Sequence, residues 1–394
     1  MTAAAEARER PKVSIWNNPR IRSIFVQAVL LLVLTFLFYE IASNTISNLR
    51  TRNIAAGFEF LNKTSGFDII QSLVPYSSGS NYGQAIFVGF LNTVLISVLG
   101  IAAATVLGFF MGVMRLSKNW LAAKIATFYI EFFRNIPLLL QIFIWYGVVL
   151  QPLPGPKQAL DLGGMFFLSN RGFMLPKPIF GDGAWLGLAG FIGAVVGAWL
   201  VARWSRTRQA ATGQTFPVFL TSLGLAAVLP FLGLALAGFP LTFEYPELAG
   251  FNFKGGIDVI PELMALFLAL SVYHGTYIAE TVRAGIEAVS HGQTEAAHAL
   301  GLRSAMTLRL VVVPQAMRVI IPPLASTHLS LTKNSSLAIA IGYPDLVATG
   351  GTVLNQTGQA IEIVGIWMIV YLSLSLLTSA FMNWFNARMK LVER

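Results

Sequence analysis

The chain has 394 residues, of which 55% are hydrophobic and only 11% are charged. Soluble domains carry about 25% charged residues, so this composition excludes an ordinary soluble protein and predicts an integral membrane protein. The absence of cysteine excludes a disulfide framework and thiolate metal ligands. The net charge of +9 does not predict a nucleic-acid partner, because the basic residues flank apolar segments, where they anchor a protein in membrane lipid.

Apolar segments recur along the whole chain, each close to the roughly 20 residues that a membrane helix needs. They predict an all-α membrane protein with about eight transmembrane helices. These are residues 23–41, 85–114, 127–150, 185–203, 217–239, 257–282, 316–342 and 360–385. The first follows a basic segment, as in a signal peptide, but no clear small-residue cleavage site follows it. We therefore interpret it as an uncleaved helix.

The distribution of Lys and Arg predicts the orientation. These residues are more frequent in one set of alternate connections, which includes both ends of the chain. By the positive-inside rule, residues 1–22, 283–315 and 386–394 are cytoplasmic. The connections 42–84 and 151–184 are then extracytoplasmic. The first contains Asn, Ser, Gly and Pro75 and is predicted to be a loop with limited helix, whereas the second has proline at three of its first six positions, which excludes a continuing helix.

Two of the predicted spans carry glycines four residues apart, Gly108 with Gly112 and Gly193 with Gly197. Glycines at this spacing let two helix backbones approach closely in lipid. Glycine is also common in membrane helices, so the pattern alone does not separate a packing site from chance.

The only long stretch of the second half that reads as water-soluble is 285–317, which lies between two predicted spans. Its alanines favour a short helix, with Ser290 or Thr294 as the cap, and Gly301 suits the left-handed residue that ends a helix. A second helix follows, and Pro314 is expected to interrupt it. The segment is predicted to lie across the cytoplasmic end of the bundle, either as a docking element or as a plain amphipathic interfacial helix.

Charged side chains inside a span are costly in lipid, so each needs a partner or a polar path. Glu131 and Arg134 are three residues apart and are predicted to pair along one helix face; Glu280 and Arg283 repeat this spacing. Either pair can be a structural ion pair at the membrane boundary, which we favour, or a contact with a transported substrate.

The seventh span carries the polar run Lys333, Asn334, Ser335 and Ser336 beyond two adjacent prolines. We expect the prolines to bend the helix and to leave an irregular polar segment at membrane depth. Such a segment must line a cavity or be buried in protein. It is the leading candidate for a substrate path, and packing against a partner subunit is the alternative.

The segment 285–317 also contains an ordered set of residues that resembles a known signature. The set is Glu295, Ala296, Ala297, Gly301, Val311, Val313 and Pro314. It resembles the signature loop of permease subunits of bacterial binding-protein-dependent ABC importers, with valines in place of the more usual isoleucine and leucine. In that family the loop forms a coupling helix that docks into a groove of the cytoplasmic ATPase.

The surrounding residues resemble one branch of that family. Residues 129–143, 274–289 and 331–338 look like the polar amino acid permeases, and the likeness extends over 85–148 and 257–385. The extra first helix, the long outer loop and the two-helix insertion are similar to the enlarged, Q-type permease subunits of general L-amino acid importers.

What the resemblance implies for the fold is a type I importer core of five helices, with an extra N-terminal helix and a two-helix insertion. The expected domains are a cytoplasmic N-terminus at 1–22, the extra helix and periplasmic loop at 23–84, core at 85–150, the insertion at 151–256, core at 257–385 with the coupling loop at 283–315, and a cytoplasmic C-terminus at 386–394. The chain would be a multi-pass protein of the bacterial inner membrane.

The resemblance also implies partners. A second, homologous permease subunit would complete the translocation path as a heterodimer, and two copies of a cytoplasmic ATPase would bind ATP and Mg²⁺. A periplasmic binding protein would deliver the amino acid. The residues that would couple the chain to the ATPase are Glu295, Ala296, Ala297, Gly301 and Pro314.

A zwitterionic amino acid needs a cationic site and an anionic one. Lys333 and Glu280 could supply them, and Glu131 and Arg134 are further candidates for the path. Arg134 also begins the segment that occupies the place of an Arg-Gly-Thr-Pro-like motif of the family, from which Asn135 and the next residue depart.

The sequence contains no G-x-x-x-x-G-K-[ST] phosphate loop, so an ATPase would have to be a separate chain. No cofactor is predicted in this chain. Its four histidines have no metal-site spacing, and no catalytic constellation argues for an enzyme. The alternative to an ABC permease is an ion-coupled secondary amino acid transporter, which would need no ATPase.

Overall fold

The computed structural model describes residues 19–51 and 57–389. The helices in this part of the chain are α1 (Pro19–Thr51), α2 (Tyr82–Arg115), α3 (Trp120–Arg134), α4 (Leu138–Phe143), α5 (Trp185–Thr212), α6 (Val218–Leu236), α7 (Pro261–Glu287), α8 (His291–Ala299), α9 (Ser304–Thr307), α10 (Val313–Asn334), α11 (Leu346–Thr357) and α12 (Ala360–Met389). Seven helical segments are long and apolar enough to cross a membrane, or eight if one bent pair counts as a span. Most of the predicted N-terminal segment 1–22 and the end of 386–394 lie outside the described residues.

The bent pair corrects the sequence prediction of one helix over 127–150. α3 and the following helical segment, Leu138–Leu150, meet at 103°. The break lies at Asn135–Pro137, because Pro137 has no N–H to donate and disfavours a helical conformation at the residue before it. Beyond α4 the helix widens into a π-helical stretch, Ile144–Leu150.

α7 is the central helix of the bundle, and α2, α3 and α10 pack against it. Of its most apolar stretch, 61% is buried, against 11% for α5 and 6% for α6. Gly108 and Gly112 of α2 form the closest seam with α7. A Cβ built on Gly108 would lie 2.5 Å from Ile278 Cβ, and one on Gly112 would lie 2.6 Å from the carbonyl oxygen of Ala279. The glycine pair of the second span is therefore a helix-packing site.

The insertion forms a helical hairpin in which α5 and α6 pack mainly on each other. Its closest backbone contacts are at Gly190 with Leu229 and at Gly233 with Leu186. The predicted pair meets side chains only, since a Cβ on Gly193 would lie 3.9 Å from Leu229 Cδ1 and one on Gly197 would lie 3.3 Å from Leu225 Cδ1. On α5 the closest backbone approach is therefore at Gly190, outside the predicted pair.

Short strands at one end of the bundle were not predicted from the sequence. They are β1 (Leu160–Leu162), β2 (Phe166–Ser169), β3 (Gly172–Leu175), β4 (Lys177–Phe180), β5 (Leu241–Glu244), β6 (Glu247–Ala249), β7 (Asn252–Lys254) and β8 (Ile257–Val259). They form a sheet of order β1-β2-β3-β8 and two two-stranded pairs, β4-β5 and β6-β7, all antiparallel. Gly163 and Gly164, both at positive φ, make the tight turn from β1 to β2.

We call the end of the bundle that carries these strands the strand end, and the end that carries α8 the α8 end. α7 joins the two, since it begins directly after β8 and ends just before α8. α10 runs back from the α8 end and tightens at Ser335 into a 3-10 segment, Ser335–Ile341. α11 and α12 then complete the chain.

Candidate functional site

α8 is a two-turn helix whose end is fixed by backbone hydrogen bonds. Gly301 has φ of 78°, as expected for the left-handed residue after a helix. Its N–H donates to His298 O at 2.9 Å, and the N–H of Leu302 donates to Ala297 O at 3.1 Å. This is the Schellman arrangement, which pairs the last carbonyls of the helix. Ser290 precedes α8, but its side chain makes no capping hydrogen bond.

The side of α8 turned away from the bundle is small and partly apolar. Glu295 and Ala296 are exposed, and Leu300 is 82% exposed, whereas Ala297 is buried against the protein. Ala296 and Leu300 are four residues apart and share the exposed face, as the sequence predicted. An exposed leucine beside an alanine leaves an apolar surface free for contact.

Pro314 does not interrupt a helix, which corrects the sequence prediction. It lies in the first turn of α10, and the helical segment Ser304–Ile341 runs through it. The residues before it, Leu308–Val312, are π-helical and connect α9 to α10 without a loop. Pro314 therefore marks where α10 begins.

Of the four ion pairs at the α8 end of the described chain, two join α2 to α3 and α7, and two lie within α7. Arg115 Nη1 lies 2.6 Å from Glu280 Oε2, and Arg115 Nη2 lies 3.5 Å from Glu131 Oε1. Arg283 Nη2 lies 2.5 Å from Glu280 Oε1, and its Nη1 pairs with Glu287. Glu280 is thus shared by two arginines from two helices. The predicted pair of Glu280 with Arg283 is present.

The predicted pair of Glu131 with Arg134 is wrong. Glu131 turns to Arg115 of α2, and the guanidinium of Arg134 lies 5.4 Å from the ring centre of Tyr277 on α7. α3 ends at Arg134, so this side chain is free to turn toward α7 instead of lying back along its own helix.

A cavity of about 300 Å³ brings together two of the predicted path residues. Arg134 and Glu280 line it together with Tyr277, Thr281 and Thr327, so it offers a cation, a carboxylate and hydroxyl groups. Lys333 is not among the lining residues. Lys333 and Glu280 therefore do not line this cavity together, and the cation that lines it with Glu280 is Arg134.

The polar run at the end of α10 is ordered by local hydrogen bonds. Asn334 Nδ2 donates to His274 Nε2 of α7 at 3.2 Å, the Ser335 hydroxyl donates to Thr332 O at 2.8 Å, and the Ser336 hydroxyl donates to Lys333 O at 2.8 Å. The two prolines did not produce the irregularity that the sequence predicted. α10 continues through them, and the backbone changes only at Ser335, where the 3-10 segment begins.

Comparison with known proteins decides the family of this chain. Residues 210–391 match the family described as binding-protein-dependent transport system inner membrane component. The general L-amino acid transport system permease protein AapQ of Rhizobium johnstonii is 55% identical over 97% of this chain and 95% of its own length. The chain belongs to the permeases of binding-protein-dependent ABC transport systems.

Two further relatives extend the likeness of this permease. The putative amino-acid ABC transporter permease protein YhdX of Escherichia coli is 50% identical over 96% of both chains. The glutamate/glutamine/aspartate/asparagine transport system permease protein BztB of Rhodobacter capsulatus is 42% identical, again over 96% of both. Because the alignments span nearly the full length of each chain, the first helix and the insertion have counterparts in these permeases.

One face of α10 in the permease is both exposed and polar. Ser326, Ser330 and Lys333 are exposed and lie at spacings of four and three residues, so they fall on one side of the helix. Sequence reasoning named only Lys333 of these. The serines repeat at helical spacing along the span, and this spacing is the signal in the sequence that predicts a shared face.

The buried histidines were also missed as parts of the permease interior. His274 accepts from Asn334, and His328 Nε2 lies 3.0 Å from Thr105 Oγ1 of α2. Both histidines are buried. These contacts join α2, α7 and α10 by polar groups inside the bundle, and nothing in the spacing of single residues could have predicted the pairings.

Proposed function

We propose that this permease is a subunit of an ATP-driven ABC importer that moves amino acids from the periplasm to the cytoplasm and forms half of the translocation path. The observation that carries the proposal is the exposed polar face of α10, with Ser326, Ser330 and Lys333. A charge at the centre of a membrane helix costs on the order of 2.5–3.5 kcal/mol in lipid. Such a face requires water or another protein subunit against it.

The cavity lined by Arg134 and Glu280 supports the same proposal. It lies among α3, α7 and α10, and Val319, Pro323 and Thr327 of α10 form one of its walls. A second subunit that covers α10 would enclose this cavity between the two permeases. A zwitterionic cargo in the cavity would meet the guanidinium of Arg134 and the carboxylate of Glu280, which Arg115 and Arg283 already pair.

The names of the relatives support amino acids as the cargo. AapQ is named for general L-amino acid transport, and BztB for glutamate, glutamine, aspartate and asparagine. Full-length identity of 55% and 42% makes a related cargo the expectation for this chain. We propose that the binding protein that delivers the amino acids selects among them.

The proposed complex has a second, homologous permease as a heterodimeric partner, two copies of a cytoplasmic ATPase that bind ATP and Mg²⁺, and a periplasmic amino-acid-binding protein. The chain carries no phosphate loop of its own. The inner-membrane description of the family and the excess of Lys and Arg in alternate connections support an inner-membrane protein with both termini and α8 in the cytoplasm.

In this orientation α8 is the coupling helix. Its exposed face, with Glu295, Ala296 and Leu300, is small enough to seat in a groove of the ATPase. Gly301 ends the helix in the one conformation that its hydrogen bonds require, and Pro314 fixes the start of α10. Movement of α8 would therefore pass directly into α10, whose polar face meets the path.

The test is ATP-driven uptake of radiolabelled L-glutamine by proteoliposomes that contain the complete complex and its binding protein. We expect Glu295→Lys and Ala296→Trp each to reduce uptake at least tenfold and to prevent copurification of the ATPase, while the chain still inserts. Ala210→Trp is the matched control, because Ala210 is an exposed alanine at the end of α5 that lies away from the strands. It should leave uptake unchanged.

Normal uptake by the Ala296→Trp complex would contradict the coupling proposal. A separate measurement addresses the alternative of an ion-coupled transporter, in which this chain alone is reconstituted and given a proton or sodium gradient. Uptake under those conditions, without an ATPase, would overturn the proposal of an ABC importer.

A further inference from the structure

A second cavity, of about 540 Å³, lies at the strand end. Three parts of the chain supply most of its polar side chains. Tyr146 and Gln151 come from the end of the bent third span, Asn170 and Arg171 from the turn between β2 and β3, and Asp258 and Glu262 from β8 and the first turn of α7. We call this cavity the outer vestibule. Its volume is within the roughly 300–1,000 Å³ typical of small-molecule sites.

The charges of the outer vestibule are not used up within the protein. In the described part of the chain, no ion pair includes Arg171, Asp258 or Glu262. Glu262 accepts one hydrogen bond, from the Tyr146 hydroxyl at 2.8 Å, which holds the carboxylate in place without neutralising it. A cation and two carboxylates therefore share one cavity and remain available to a charged ligand.

The two carboxylates are close enough to affect each other. Partial burial and the neighbouring negative charge of Glu262 raise the pKa of Asp258 above its usual value. The negative charge of Glu262 thus disfavours the ionised form of Asp258, and a bound ammonium group would favour it.

The outer vestibule also adjoins a third cavity, of about 420 Å³. Ile70, Ile260 and Glu262 line both. The third cavity is lined further by Ile339 and Gly342, at the end of the 3-10 segment that follows α10. Glu262 thus stands between the strands and the part of the chain that carries the proposed path.

We propose that the outer vestibule binds a free α-amino acid before it enters the path, with the ammonium group at Glu262 and Asp258 and the carboxylate at Arg171. The proposal rests on the proposed import of amino acids and adds a recognition site outside the membrane core. The site would recognise the two charged groups that all α-amino acids share. It therefore accepts side chains of different kinds and leaves selection among them to other parts of the system.

The test uses the purified permease complex without its binding protein, so that no other amino acid site precedes the vestibule. The probe is L-photo-leucine, whose diazirine forms a covalent bond with neighbouring residues on illumination. We expect mass spectrometry to find labels in the peptides around Tyr146, Arg171 and Glu262. L-Leucine should protect these peptides, whereas N-acetyl-L-leucine, which has no ammonium group, and L-leucinamide, which has no carboxylate, should not protect them at the same excess.

Glu262→Gln and Arg171→Gln should each reduce labelling at least fivefold. Tyr146→Phe, which keeps the carboxylate but removes its hydrogen bond, should give an intermediate loss. Lys177→Gln and Glu247→Gln are matched controls on β4 and β6. Both are exposed and neither lines the vestibule, so their labelling should equal that of the wild type. Gel filtration and thermal melting show whether each variant is folded. If only one of Glu262→Gln and Arg171→Gln folds, its labelling alone tests the proposal.

Protection by N-acetyl-L-leucine equal to that by L-leucine would overturn the assignment of the ammonium site, and so would unchanged labelling in both charge variants. ATP-driven uptake by the wild type, measured with the binding protein, separates this inference from the proposed function. Uptake without vestibule labelling rejects the vestibule alone, and absence of uptake rejects the proposed import itself.

Discussion

The two ends of α7 hold their charges in opposite ways. At the α8 end, Glu280 is shared between Arg115 of α2 and Arg283 of its own helix, at 2.6 Å and 2.5 Å. At the strand end, Glu262 has a hydrogen bond from a tyrosine, and it takes part in no ion pair within the described chain. Charges on one helix thus serve to join helices at one end and stay unpaired at the other.

The difference follows from how closely the helices approach. At the α8 end, Gly112 lets α2 touch the backbone of α7 and brings Arg115 within reach of Glu280. At the strand end, short strands and turns surround the start of α7 and leave a cavity. Close packing produces paired charges that hold the bundle together. Open packing leaves charges that are free to meet a ligand.

The largest loss of stability is expected from Gly112→Ala, which disrupts the close packing of α2 on α7. The new Cβ would lie 2.6 Å from the carbonyl oxygen of Ala279, a backbone atom that cannot turn aside, so α2 and α7 must separate. We expect a loss of about 1–3 kcal/mol in stability, measured by thermal melting of the purified protein in detergent. Gly193→Ala is the control, because its nearest neighbour is 3.9 Å away. Equal melting of the two variants would contradict the importance of the α2–α7 seam.

The next effect is expected from Glu280→Gln, which leaves Arg115 and Arg283 without their shared partner. The side chain of Glu280 is 27% exposed, so the loss should fall between that of an exposed pair and that of a buried one, on the order of 2 kcal/mol. Thermal melting measures it. Glu287→Gln, which removes a half-exposed partner of Arg283, should change stability by less than about 0.5 kcal/mol. In the Gly112→Ala background the effect of Glu280→Gln should shrink, because the pair is already loosened.

The two ends also differ in how far the sequence could predict them. Long apolar stretches identified the helices, and the spacing of Glu280 and Arg283 predicted their pair correctly. The strands could not be predicted from the sequence, because three or four residues are too few to show the alternation that marks a strand. The outer vestibule could not be predicted either. Arg171 and Asp258 are far apart in the chain, and the sheet pairing of β3 with β8 brings them together.

At the α8 end the wrong predictions concern side chains that contact another helix instead of a neighbour on their own helix. Glu131 and Arg134 had the right spacing to pair, but Arg115 of α2 offers Glu131 a partner and Tyr277 offers Arg134 another. Spacing along one helix gives a list of possible neighbours. It does not show whether a side chain of another helix lies nearer. The bend at Pro137 also cannot be read from this spacing, although it ends α3 and so sets the surroundings of Arg134.

A smaller effect is expected from Glu131→Gln, which tests this corrected pairing. Its contact with Arg115 is 3.5 Å long and the Glu131 side chain is 58% exposed, so water screens it. Arg115 also keeps Glu280. We expect a loss in stability below about 0.5 kcal/mol. A loss as large as that of Glu280→Gln, which vanishes when Arg134 is replaced as well, would restore the pair of Glu131 with Arg134 that the spacing suggested.

The smallest effect, and one of opposite sign, is expected from Asp258→Asn at the strand end. The pKa of Asp258 is raised in the folded protein by burial and by Glu262, so the folded chain holds a proton there more tightly than the unfolded chain does. Stability from this group is therefore present at low pH and is lost as the pH rises through the raised pKa. The neutral asparagine does not suffer this loss. Asp258→Asn should melt slightly above the wild type at neutral pH, and the difference should vanish as the pH falls toward about 4, the ordinary value for aspartate.

The control for Asp258→Asn is Glu247→Gln, an exposed carboxylate on β6 that does not line the vestibule. It should melt as the wild type does at both pH values. A lower melting temperature for Asp258→Asn at neutral pH would mean that the carboxylate is stabilised by a partner, and the contrast between the two ends of α7 would fail. A higher melting temperature shows that the carboxylate of Asp258 lowers the stability of the folded protein. A site for an ammonium group explains why such a charge is present, whereas a merely structural role does not.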